Sequence, residues 1–71
     1  MYMSDQIVLN IISDIMEVDS VDLNLELDED NWDSLAVISF IAEVDSKLGQ
    51  ILDAKSVNES KTVAELVSLV G

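Results

Sequence analysis

Residues 30 to 49 read DNWDSLAVISFIAEVDSKLG. Within this stretch Val37, Ile41, Val44 and Leu48 recur at steps of four, three and four, with Phe40 alongside. That spacing places one apolar stripe on a helix, so a core-facing helix is predicted from Ser34 to Leu48. Gly49 follows as the stop, the residue type that tolerates the left-handed conformation at a helix end. At the other end, either Asp33 or Ser34 can serve as N-cap, because each offers a side-chain oxygen to an orphan backbone N–H.

Working outward, SDQIVLNIISDIMEV places Ile7, Val8, Ile11, Ile12 and Ile15 on one face, and a first helix is predicted from Asp5 to Val18 with Ser4 as N-cap. Between these helices Val21, Leu23, Leu25 and Leu27 alternate with polar residues. A strand needs a partner, and nothing else in the chain alternates. The expectation is therefore a long loop pinned to a helical core by some of these leucines, a feature more often functional than idle. After Gly49, the segment QILDAKSVNES holds Ile51, Leu52, Ala54 and Val57, enough for a short helical turn. Thr62-Val63-Ala64-Glu65 then forms a capping box, with Glu65 expected to reach back to the Thr62 amide. Val63, Leu66, Val67 and Val70 make the last apolar face. The fold expected is all-α: a small four-helix bundle of three longer helices and one short one, with a long loop between helices 1 and 2. At 71 residues the chain reads as one domain, residues 1–71.

Composition narrows the chemistry. The chain has no cysteine and no histidine, which removes disulfides, thiolate metal sites and the usual general base. A self-contained catalytic triad or zinc hydrolase is thereby disfavoured, and no enzyme activity is expected. The net charge is −12, and no Lys or Arg precedes Lys47. Such a field repels nucleic acid and anionic membranes and favours encounter with basic protein surfaces. No apolar run approaches a membrane span and no basic segment marks a signal peptide, so a cytoplasmic monomer is expected.

Asp33-Ser34-Leu35, set at a loop-to-helix junction in an acidic chain with this helix order, resembles the signature of acyl carrier proteins. The resemblance extends over nearly the whole chain: first helix, long acidic loop, helix from Ser34, short third helix, and a last helix introduced by KTVAEL. It implies that Ser34 is esterified by a phosphopantetheinyl transferase with the 4'-phosphopantetheine arm of coenzyme A. It further implies that Asp33 orients the transferase and that Leu35 contacts docking enzymes. Leu35, Ile38, Ala42, Glu43 and Asp45 would form the partner surface for acyl-activating and acyl-transferring enzymes with basic docking faces.

The chain departs from the family pattern in placing Asn31 where glycine is common and Trp32 where small residues are common. Outward positions of the second helix include Ala36, Ser39, Ala42 and Ser46, so the acidic charge has moved from that helix into the loop. This pattern points to a dedicated partner set. An aminoacyl or peptidyl carrier would use the same arm. A second alternative is an unmodified acidic interaction module with Ser34 only at a helix start. A third is calcium binding: Asp22, Asn24 and Glu26 mimic the first ligands of an EF-hand loop. Leu27 nevertheless stands at the required glycine position and Asp33 at the twelfth, so no specific metal site is expected. Trp32 is expected to anchor the loop on the bundle.

Overall fold

The computed structural model describes the backbone of residues 3–70 and the side chains of residues 5–70. The stretch that decides the fold forms α2, Ser34–Leu48, with Val37, Phe40 and Val44 buried. Ile41 and Leu48 pack half-buried at the edge of the same core. Gly49 ends the helix at φ 68° and ψ 21°, its N–H donating to the Asp45 carbonyl at 2.9 Å. Ala36, assigned above to the outward face, is buried instead. It lies one turn before Phe40 and shares that residue's inner side of the helix.

α1 spans Met3–Met16 and buries Val8, Ile11 and Ile12. It differs at both ends from the prediction of Asp5 to Val18. Ser4 lies inside the helix rather than at its cap, and its side chain falls outside the described residues. At the C-terminus Glu17 adopts φ 59°, and paired bonds close the last turn, Val18 N–H to Ser13 O at 3.0 Å and Glu17 N–H to Asp14 O at 3.2 Å. This paired pattern normally recruits glycine at the left-handed position. It leaves Val18 outside the helix and about half exposed.

α3, Ala54–Glu59, is capped by Asp53, and α4, Val63–Leu69, by Thr62. At seven residues α4 is shorter than anticipated, so two long helices pack with two short ones. Glu65 N–H donates to Thr62 Oγ1 at 3.3 Å, as the capping box requires. The returning carboxylate accepts from the Lys61 amide at 3.0 Å, one residue earlier than expected. Phe40, Ile11, Ile12, Leu66, Val57 and Val63 meet as the fully buried centre of this all-helical bundle.

The long loop has a partner after all. Leu27 N–H donates to Lys61 O at 2.7 Å, and Val63 and Ala64 N–H donate to Leu25 and Leu23 O at 3.0 and 2.9 Å. Glu26 and Thr62 form an antiparallel bridge between these bonds. The alternation of Val21 to Leu27 thus reflects a short extended pairing against the lead-in to α4. Its partner covers too few residues to show a period of its own. Leu25 and Leu27 meanwhile pack half-buried against the core, as expected of leucines that pin a loop. No helix among the described residues is long and apolar enough to cross a membrane.

Candidate functional site

The junction between loop and α2 is built by three successive devices. First, Asp28 and Asn31 fold the loop into a tight turn. Asp28 Oδ1 accepts from the Asp30 and Asn31 amides, both at 2.9 Å, while Asn31 Oδ1 accepts from the Asp28 amide at 2.8 Å. Asn31 Nδ2 also donates to Glu26 O at 3.0 Å, which ties this turn to the extended segment. A glycine here would keep the amide bonds to Asp28 Oδ1 but lose both bonds of the Asn31 side chain, so Asn31 has a structural role at this position.

Second, Trp32 is buried at 7% exposure and packs edge-on against Phe40, with ring centroids 5.7 Å apart. It anchors the loop to the centre of the bundle, as the sequence suggested. Its Nε1–H is buried and has no hydrogen-bond partner among the described residues. That desolvated donor works against the anchor's own stabilisation.

Third, Asp33 is the N-cap of α2. Its backbone is extended (φ −89°, ψ −175°), and its Oδ1 accepts from the Ala36 amide at 2.9 Å. This decides between the two candidate caps. Ser34 is the first helical residue, exposed, and no hydrogen bond among the described residues engages its hydroxyl. The hydroxyl therefore stands in solvent at the positive end of the α2 dipole, and no acidic residue occupies the first turn.

Two open hollows flank Ser34. One, of about 530 Å³, is lined by Ser34 with Leu27, Asp28, Trp32, Asn58 and Ser60 among others. The other, of about 560 Å³, runs between the end of α1 and the start of α2. Along the outer face of α2, Leu35 and Ile38 are 71% and 63% exposed, and Ala42 is exposed beyond them. Of the acids assigned to this face, Asp45 is exposed, whereas Glu43 is half-buried and paired with Lys47 at 3.0 Å. The structure thus brings Asp33, Ser34 and Leu35 together at one exposed corner. It sets Glu43 and Asp45 two to three turns away along the helix. Among the described residues no group of three or more carboxylates is placed to hold a metal ion.

The groups present suit an esterified phosphate. The hydroxyl is accessible and uncommitted, and the first-turn amides not taken by Asp33 favour a negative charge beside it. The family model describing a phosphopantetheine attachment site matches residues 6–70. No curated protein and no solved structure matches the chain. With the match extending from the first turns of α1 to the end of α4, the chain belongs to the phosphopantetheine-attachment family, carrier domains of the acyl carrier protein type that bear 4'-phosphopantetheine covalently on a serine.

Proposed function

We propose that Ser34 is the attachment point and that the protein carries acyl intermediates as one carrier domain spanning residues 1–71, in a specialised biosynthetic pathway. The observation that carries this reading is the division of labour at the α2 start. Asp33 takes the capping bond and Ser34 is left exposed with its hydroxyl uncommitted. When bound, the arm supplies a terminal thiol that holds its cargo as a thioester. Every other contribution is made by the chain. Ser34 Oγ bonds to the pantetheine-side phosphorus of coenzyme A and gives up its proton to the transferase, while the coenzyme's pyrophosphate bond breaks and adenosine 3',5'-bisphosphate leaves. Asp33 fixes the helix start that aims that oxygen, and the α2 dipole favours the resulting phosphodiester anion. Leu35, Ile38 and Ala42 offer an exposed apolar strip to docking enzymes.

Tethering also explains why so little chemistry is needed on the carrier. A cargo held on a flexible arm is presented to each enzyme at an effective concentration set by the tether. An aminoacyl or peptidyl cargo would ride the same arm, and the activating enzyme is what separates the two readings. Incubation with coenzyme A and a phosphopantetheinyl transferase, followed by intact mass measurement, tests the site. One arm's mass should be gained by the wild type and none by Ser34→Ala. An equal gain on Ser34→Ala would overturn the assignment. Acyl-activating and amino-acid-activating ligases, offered in turn to the loaded protein, then test the cargo class.

A further inference from the structure

The acidic charge and the exposed Ser34 meet at a surface that lies off the outer face of α2. The groove of about 560 Å³ between α1 and α2 has Met16, Val18 and Leu35 among its apolar lining and Glu17, Asp30 and Asp33 among its polar lining. Leu35 is 71% exposed and Val18 47%, so the apolar part of the groove is open to a visitor. Glu17, Asp30 and Asp33 are all exposed, and no lysine lines the groove. Because Asp33 and Leu35 flank Ser34 in the chain, whatever occupies this groove lies next to the hydroxyl.

The outer face of α2 offers far less charge. Its first turn has no acid, and Glu43 is neutralised by Lys47 at 3.0 Å. Asp45 lies eleven residues beyond Ser34, about 17 Å along the helix axis. A basic protein approaching Ser34 therefore meets acids at the loop and the end of α1 rather than along α2: Asp28 and Glu29 in the hollow on one side, Glu17 and Asp30 in the groove on the other, and the groove adds the exposed apolar Val18 and Leu35.

We infer that the enzyme that modifies Ser34 docks in this α1–α2 groove, presenting an apolar side chain to Val18 and Leu35 within a ring of lysines or arginines that faces Glu17 and Asp30. The inference rests on Ser34 being the attachment point. It relocates the charged half of the docking surface from Glu43 and Asp45 to the end of α1 and the loop. Opposed charges at a rim act mainly on the rate of encounter, so the effect should be largest at low ionic strength.

The test compares two charge reversals of equal size. Glu17→Lys with Asp30→Lys alters the groove. Asp45→Lys with Glu59→Lys alters exposed acids elsewhere. Each pair is loaded by a phosphopantetheinyl transferase with coenzyme A, and kcat/KM is read by intact mass at low and high salt. The groove pair should lose about tenfold or more at low salt, with kcat nearly unchanged, and the other pair less than threefold. The milder Glu17→Gln with Asp30→Asn should move in the same direction and keeps the fold if the lysines do not. Chemical-shift mapping of transferase binding to Ser34→Ala gives an independent readout, with the strongest changes expected at residues 16–18 and 30–39. Equal losses in both pairs, or shifts centred on residues 42–48, would overturn the groove while leaving Ser34 assigned. A wild type that gains no mass at Ser34 would overturn both.

Discussion

Replacing Asp33 separates the helix cap from any role its charge has in modification. The bond from the Ala36 amide to Asp33 Oδ1, at 2.9 Å, is the side-chain cap of a 15-residue helix. Asp33→Ala removes both that bond and the carboxylate's interaction with the helix dipole. The first is typically worth about 1 kcal/mol and the second about 0.3–1 kcal/mol at low salt. Together they amount to about 1–2 kcal/mol. In a domain of this size each kcal/mol moves the melting temperature by about 4–8 °C. Asp33→Asn keeps an oxygen that can accept from Ala36 and loses only the charge, so its deficit should be about 0.3–1 kcal/mol. Thermal melts followed by circular dichroism at low ionic strength and at 0.5 M salt, roughly fifty-fold or more apart in ionic strength, resolve the two parts. The Asn deficit should nearly vanish in high salt, while about 1 kcal/mol of the Ala deficit persists. Equal deficits for Asn and Ala, unchanged by salt, would refute the capping argument. If Asp33→Asn melts like the wild type yet is loaded slowly, the carboxylate is read directly by the transferase.

Trp32→Ala should cost about 3–5 kcal/mol in urea denaturation, because it empties a buried aromatic site against Phe40. Trp32→Phe should cost within about 1 kcal/mol, since the lost area is offset by removing an unpartnered buried N–H. Glu17→Gly should raise stability by about 1 kcal/mol, because the φ of 59° favours glycine, and should at the same time slow transferase association. Asn31→Ala removes both Asn31 side-chain bonds of the loop turn, so amide exchange at Asp28 should accelerate while the α1 core stays protected.

The helices were legible wherever burial follows a local period. Val37, Phe40 and Val44 turn inward as their spacing requires, and Gly49 stops α2 at a left-handed φ. The junction was legible only in part. Asp33-Ser34-Leu35 was visible as a candidate site, but which of two good capping residues does the capping depends on backbone angles that composition does not specify. The pairing of Leu23 to Leu27 with residues 61–64 was hidden because its two halves are more than thirty residues apart in sequence, and one half is too short to alternate. Ala36 misled for a different reason: alanine suits either side of a helix, and its burial follows from Phe40 one turn later. The end of α1 was misplaced because Glu17 occupies a conformation that the residue type does not advertise.

The acidic loop is held by contacts that leave most of its charge unused. Its anchors are backbone bonds to residues 61–64, the Asp28–Asn31 turn, and Trp32 on Phe40. Glu17, Asp19, Asp22, Glu29 and Asp30 remain exposed, and the one ion pair among the described residues lies on α2, not in the loop. Uncompensated like charges destabilise a compact state, so this segment should be more stable when salt screens it. If the charge also steers a basic partner, the same salt must slow association. One titration from low to physiological ionic strength should therefore raise the melting temperature while lowering kcat/KM for modification of Ser34. Neutralising Glu29 and Asp30 to Gln and Asn should flatten both trends. A charge kept only for solubility would flatten the first and leave the second unchanged.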